Sequence, residues 1–140
     1  MVYTAYCDGA SSKNGDGGIG CLLFDADNQV KIFSKYYPNT TNNRMELTSA
    51  IEVLKMVKKC DEVNLFSDSQ YIVKPFTEGW IIDWLNRDLE DVKNADLWVL
   101  LLEEYTRLNK KVNFNWVKGH SNNLFNNIVD KLAFKAKQND

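Results

Sequence analysis

Apolar and polar positions along this chain follow two periods, and the change from one to the other divides it. Val2 to Asp8 is made of strand formers and halts at Gly9-Ala10-Ser11-Ser12, a turn-prone cluster. Asn14-Gly15-Asp16-Gly17-Gly18 is a further turn, after which Ile19 to Phe24 predicts a second strand. Asp25-Ala26-Asp27-Asn28 makes a hairpin connection into a third, Gln29 to Tyr37. Three strands in close succession predict an antiparallel meander.

The period then lengthens. From Asn43 to Lys59, Leu47, Ala50, Ile51, Leu54 and Val57 fall at helical spacing. Val63 to Ser67 reads as a short strand, and Ser69 to Phe76 as a short helix limited by Pro75. Gly79 breaks the chain before a brief helix, Trp80 to Leu85. Asn94 is placed to cap a helix over Ala95 to Leu108, with Leu97, Trp98, Leu101 and Tyr105 facing inward. Val112, Phe114 and Trp116 alternate with Asn113 and Asn115, a strand pattern. A loop through Gly119-His120-Ser121-Asn122 leads to a last helix, Asn126 to Lys137. Strands separated by helices pair in parallel. The expectation is therefore α/β: a mixed five-stranded sheet with helices on both faces, in one domain covering 1–140.

Composition changes this picture little. A 140-residue chain that is 44% hydrophobic suits one folded domain and excludes a disordered one. Cys7, Cys21 and Cys60 form an odd set without CxxC spacing, which predicts reduced thiols in a reducing compartment. No charged segment followed by an apolar run opens the chain, and its longest apolar stretch, Leu97 to Leu102, is far short of a membrane span. A soluble cytoplasmic protein is expected, monomeric by default and without a membrane or obligate protein partner. The net charge of -2 argues mildly against a nucleic-acid partner. That objection weakens if acids hold cations, because a bound metal reverses the local sign.

Candidate chemistry lies at strand ends. Asp8 ends the first strand and Asp68 the fourth, and ligands in open α/β sheets gather at the carboxyl ends of strands. Each is also an ordinary turn or cap residue, and Asp68 before a helix could be an N-cap alone. Glu46, three residues after Asn43, reads as the partner in a capping box. Asp130 points away from the stripe of Ile128, Val129, Leu132, Ala133 and Ala136, so periodicity makes it a solvated surface acid. His120, the only histidine, sits in a flexible loop where an imidazole can shuttle protons near neutrality. The tryptophans read as core, except Trp80 and Trp84 in their short helix. Asn42, Asn43, Asn122, Asn123, Asn126 and Asn127 read as caps and loop residues.

Six segments together carry more than these parts. Tyr6-Cys7-Asp8-Gly9-Ala10, Thr40-Thr41-Asn42-Asn43-Arg44-Met45-Glu46-Leu47, Ser67-Asp68-Ser69-Gln70-Tyr71, Lys93-Asn94-Ala95-Asp96-Leu97-Trp98, Trp116-Val117-Lys118-Gly119-His120, and Asn126 through Val129-Asp130-Lys131-Leu132-Ala133 occur in this order. Over essentially its whole length the chain thereby resembles ribonuclease H of the type 1 class. The resemblance implies a ribonuclease H-like fold and endonucleolytic cleavage of the RNA strand of RNA–DNA hybrids, leaving 5'-phosphate and 3'-hydroxyl ends. It makes Asp8, Glu46, Asp68 and Asp130 metal-binding carboxylates, and His120 a mobile aid to proton transfer or product release. Gly9, Asn14, Asn42 and Gln70 correspond to groups that track the RNA strand, Thr41 and Asn43 to contacts with the DNA strand. Trp80 corresponds to a residue lining the DNA groove, and Lys118 adds positive charge near the site.

The physics of four crowded acids agrees. Two like charges ~5 Å apart repel by ~3 kcal/mol at an effective dielectric of ~20. Either carboxyl pKa values rise or divalent cations fill the site. Oxygen ligands suit Mg²⁺, or Mn²⁺ in its place, and not zinc. Two ions suit an in-line phosphodiester displacement, with Asp8 bridging them, Glu46 and Asp68 to one side and Asp130 to the other. Because only the 2'-hydroxyl separates RNA from DNA locally, cleavage without base-sequence readout is expected.

Two departures from the family pattern bear on affinity. Where many bacterial members carry a basic protrusion, this chain reads Asn86-Arg87-Asp88-Leu89-Glu90-Asp91-Val92-Lys93. The start of the chain in the first strand gives the expectation that an N-terminal hybrid-binding module is lacking. Both predict weak hybrid binding with a shallow salt dependence. The alternatives are a nuclease of this fold acting on DNA, which would not need Asn42 and Gln70, and a non-catalytic hybrid-binding module, which would not need all four acids and His120.

Overall fold

The computed structural model describes residues 2–58 and 62–138. Lys59, the last residue of the first predicted helix, and Cys60 lie outside the described residues. Three strands come first: β1 (Val2–Ser11), β2 (Gly17–Phe24) and β3 (Val30–Tyr37). Then follow α1 (Asn42–Lys55), β4 (Glu62–Ser67), α2 (Gln70–Thr77), α3 (Trp80–Asn86), α4 (Ala95–Arg107), β5 (Val112–Trp116) and α5 (Leu124–Ala136). The sheet order is β3-β2-β1-β4-β5. β2 lies antiparallel to both β1 and β3, whereas β4 runs parallel to β1 and to β5. This is the expected mixed sheet.

Alternation along β1 separates the two faces. Ala5 and Cys7 join Ile19, Cys21 and Leu23 in the larger core, which α1, α2 and α4 complete through Leu47, Val53, Leu54, Ile72, Trp98 and Leu101. Tyr6 and Leu22 belong to a second cluster with Val129 of α5. Helices thus cover both faces, as expected, and β1 is sandwiched between them. Cys7 and Cys21 are both free and buried. Among the described residues no helix is long and apolar enough to cross a membrane.

The elements differ from expectation where pairing overrides local turn chemistry. β1 does not stop at Asp8: Gly9, Ala10 and Ser11 continue opposite Ile19, Gly18 and Gly17. Ladder hydrogen bonds to an adjacent strand outweigh the turn preference of a short Gly-Ala-Ser run. Asn94 holds the N-cap position of α4, as expected, but not through its side chain. It adopts a left-handed φ of 60° without a side-chain cap, and its amide instead accepts from Arg44 Nη1 at 3.3 Å and donates to the Tyr71 hydroxyl at 3.0 Å. Trp116, expected inside, is 47% exposed and donates its indole N–H to the Asp68 carbonyl at 3.1 Å. Trp84 is packed edge-on against the fully buried Trp98, while Trp80 remains 46% exposed.

Two glycines of β2 seat α5, and a Cβ on the first, Gly18, would meet the Ala133 carbonyl at 2.4 Å. Gly20 lies opposite Asp8 in the β1–β2 register, and a Cβ there would meet the Val129 carbonyl at 2.4 Å. The helix backbone therefore rests directly on β2, and Asp130, the next residue, is carried to the end of β1. Gly20→Ala is expected to destabilise the protein by about 1–3 kcal/mol, because the helix backbone cannot yield without shifting as a unit. Urea denaturation measures it; a variant as stable as the parent would contradict this close approach.

Candidate metal centre

The parallel pairing of β1 with β4 ends at Tyr6–Phe66. Beyond it β1 continues along β2, while β4 stops at Ser67 and turns into α2. The crevice between the parting strands lies at their carboxyl ends, where open α/β sheets hold ligands. Asp8 and Asp68 enter it from its two sides.

Glu46 enters from α1. The helix is capped by Thr41, whose hydroxyl accepts from the Arg44 N–H at 3.3 Å, so Glu46 lies a turn inside the helix rather than in a capping box. Its Oε1 accepts from the Gly9 N–H at 2.9 Å, and the same N–H lies 3.0 Å from Asp8 Oδ1. One backbone donor is thus shared between two carboxylates. The approach demands glycine, since a Cβ on Gly9 would fall 2.2 Å from the Met45 carbonyl carbon. The cap reading of Asp68 fails as well: Ser69 occupies the N-cap position of α2, and Asp68 Oδ2 accepts from Asn126 Nδ2 at 3.3 Å.

Ligand oxygens of Asp8, Glu46 and Asp68 come within 4.8 Å of one another. Asp130 stands outside this set of three but comes from α5 near enough to Asp8 to help raise its carboxyl pKa. It is half-buried rather than a solvated surface acid. The buried face of α5 runs through Asn126, Val129, Ala133 and Ala136. Asn126 lies a helical turn before Asp130, which extends the buried face toward Asp130. Reading Asn126 as a loop residue hid this.

Burial raises the Asp8 carboxyl well above the ordinary carboxylate range; the charges of Glu46 and Asp68 raise it further, as do hydrogen bonds with Glu46 and Asp130. Glu46 is also raised, first by burial and then by the charge of Asp68, against the lowering effect of the hydrogen bonds from Asp8 and Gly9. Carboxyls this crowded hold protons when no cation is near. A donor set made only of carboxylate oxygens fits a hard divalent cation.

The remaining expected site residues surround this cluster unevenly. Asn42 Oδ1 accepts from the backbone N–H and the hydroxyl of Ser11, at 2.7 and 3.1 Å, clamping α1 to the end of β1. Thr41 and Asn43 are exposed at the start of α1, and Gln70 at the start of α2. Gln70, Lys74, Asn115 and Trp116 line a groove of about 340 Å³ beside Asp68. His120 is exposed, with a left-handed φ of 53°, in the loop whose Gly119 packs against Asp68. Lys118 is exposed in the same loop. Asn14, exposed in the β1–β2 turn, accepts from the Asp16 N–H at 3.1 Å, and Trp80 begins α3 away from the cluster. Asn126 and Trp116, which both hold Asp68, were not among the expected site residues; only the Asn126 and Trp116 positions of the matching segments hinted at them.

A mixed sheet of this order, with acids converging where its parallel strands part, is the framework of a ribonuclease H-like nuclease. The RNase H family model matches residues 1–138, and the chain belongs to that family of hydrolases. It is 47% identical over 141 residues to the ribonuclease H of Chlorobium luteolum, covering 96% of this chain and 94% of that one. It is 47% identical over 140 residues to the ribonuclease H of Caldanaerobacter subterraneus subsp. tengcongensis, covering 94% and 88%. Among solved structures, LC9-RNase H1, a type 1 RNase H with the type 2 active-site motif, matches with a TM-score of 0.82 and 28% identity, over 98% of this chain and 72% of that one.

A carboxyl with a raised folded-state pKa binds its proton more tightly folded than unfolded. The native state then loses stability as pH rises from the ordinary carboxylate range, about 4, through the raised value. Without divalent cations the melting temperature is therefore expected to fall between about pH 5 and pH 8. Asp8→Asn should flatten that slope and raise the melting temperature at pH 8 by roughly 5 °C, the shift that on the order of 1 kcal/mol produces in a domain of this size. Calorimetry in chelator tests it, and a variant that melts below the parent at pH 8 would refute the crowding.

Proposed function

We propose that the protein hydrolyses the RNA strand of RNA–DNA hybrids by endonucleolytic cleavage at the Asp8, Glu46 and Asp68 cluster, with Mg²⁺ as cofactor. The observation that carries this is the convergence of three ligand oxygens within 4.8 Å in a chain of the RNase H family. Asp8, Glu46 and Asp68 would hold one cation, and Asp130 with Asp8 a second. Bound there, the cations supply Lewis acidity, an activated water and charge stabilisation at the leaving oxygen, so that a 5'-phosphate and a 3'-hydroxyl result.

The protein's own part is positioning. Gly9 holds the Glu46 and Asp8 carboxylates side by side through one N–H. Gln70 and the exposed amides near the start of α1 offer donors and acceptors to an RNA 2'-hydroxyl, which is itself both. Asn42 is oriented for this by its bonds to Ser11, with Gly9 and Asn14 on the same strand-tracking side. Thr41, Asn43 and Trp80 take the DNA strand. Exposed in its loop against Asp68, His120 moves a proton or helps the product leave, and Lys118 adds positive charge.

Phosphate grip is modest. The segment after α3 pairs Arg87 with Asp83 at 3.5 Å, so its one arginine is already engaged. Weak hybrid binding follows, and binding governed by few phosphate contacts loses little affinity as salt rises.

Incubation with Mg²⁺ and labelled RNA–DNA, RNA–RNA and DNA–DNA duplexes tests the reading. Only the RNA of the hybrid is expected to be cut, chelator should stop the reaction, and Asp8→Asn should lower the rate by at least about 10³-fold, the loss of a metal-positioned reaction path. Equal cutting of DNA–DNA, or activity that survives chelation, would sink it. A nanomolar dissociation constant at physiological salt would sink the weak-binding part alone.

A further inference from the structure

We propose that Asn126 is a positioning residue of the acid cluster: a buried carboxamide that fixes Asp68 for cation binding. This rests on the metal reading above but concerns a residue that touches neither substrate nor cation. Asn126 is 1% exposed in the first turn of α5. Its Nδ2 donates to Asp68 Oδ2 at 3.3 Å. Its Oδ1 is buried and finds no donor among the described residues.

A side chain kept for stability would not look like this. A buried acceptor left unpaired costs more than a neutral donor to a carboxylate at long range returns. Leucine, with the same branching at Cγ and a higher helix propensity, would satisfy α5 without a buried polar atom. The one bond that the amide does make is to a cluster carboxylate.

Its chemistry suits that task. A carboxamide N–H steadies a carboxylate without bringing a full positive charge, whereas a lysine there would compete with a cation. The Asn126 position is itself determined: its backbone N–H donates to Asn123 Oδ1 at 3.0 Å, and the next side chain, Asn127 Nδ2, donates to the Ser121 carbonyl at 2.9 Å. On the other side, Asp68 is held through its main chain by the Trp116 indole at 3.1 Å, and the Val117 N–H bonds the Ser67 carbonyl at 2.9 Å. Asp68 is thereby gripped from β5 and from α5, two elements remote from it in sequence. Supporting hydrogen bonds of this kind orient metal ligands and alter affinity.

Calorimetric titration of the free protein with Mn²⁺, without hybrid, tests the proposal in Asn126→Leu and Asn126→Ala beside the parent. Expected are a Mn²⁺ dissociation constant raised about 10–100-fold, a melting temperature in chelator for Asn126→Leu equal to or above the parent's, and an unchanged KM for hybrid at saturating cation. Mn²⁺ affinity equal to the parent's in both variants would overturn it. So would weaker binding accompanied by a lowered melting temperature in both, which marks a structural role. If the parent itself binds no Mn²⁺, the metal reading falls; if the parent binds it and both variants bind it as tightly, Asn126 alone is discarded.

Discussion

Like charges held side by side away from water repel, and that repulsion is the constraint on which this structure turns. With ligand oxygens of Asp8, Glu46 and Asp68 within 4.8 Å, each ionised pair opposes folding by ~3 kcal/mol at an effective dielectric of ~20. Domains of this size are stable by only ~5–15 kcal/mol in total. The cost is borne by a scaffold that packs without compromise on both sides of β1. In the absence of cations it is relieved by proton uptake, which is why burial and neighbouring charge raise Asp8 and Glu46 together.

The scaffold meets the constraint by close backbone approach. At Gly9 the strand touches the first turns of α1, so a single N–H serves two carboxylates. At Gly18 and Gly20 the neighbouring strand β2 touches α5, so Asp130 arrives from the opposite face. Side chains from both layers thus meet at the end of one strand. Such precision comes from rigid elements rather than loops. The exposed loop that carries His120 adjoins this rigid frame through Gly119.

Legibility of the site in the sequence varied with how locally each residue's role is determined. Asp8 and Asp68 stood out because a strand end is a local feature and the sheet's parallel order follows from alternating elements. Glu46 read as a cap because Asn43 stands three residues before it, yet the cap is Thr41 and the carboxylate crosses to Gly9, 37 residues away. Asp130 read as a surface acid because the helical stripe was drawn without Asn126, which α5 buries one turn before it. The resemblance of six segments joined these two acids to the site; periodicity did not. Trp116 misled in the other direction, since its place in an alternating pattern predicts burial and its bond to the Asp68 carbonyl keeps it at the rim.

The four carboxylates accordingly divide by the range of the forces that place them. Sequence alone determined the strands, the helices and their order, because hydrophobic period and turn chemistry act within a few residues. It also determined the family, through motifs held in register along the chain. Tertiary structure alone decided which acids share one N–H, that Gly18 and Gly20 seat α5, and that the buried Asn126 amide bonds Asp68. Those outcomes depend on distances between elements remote in sequence, and no local pattern encodes them.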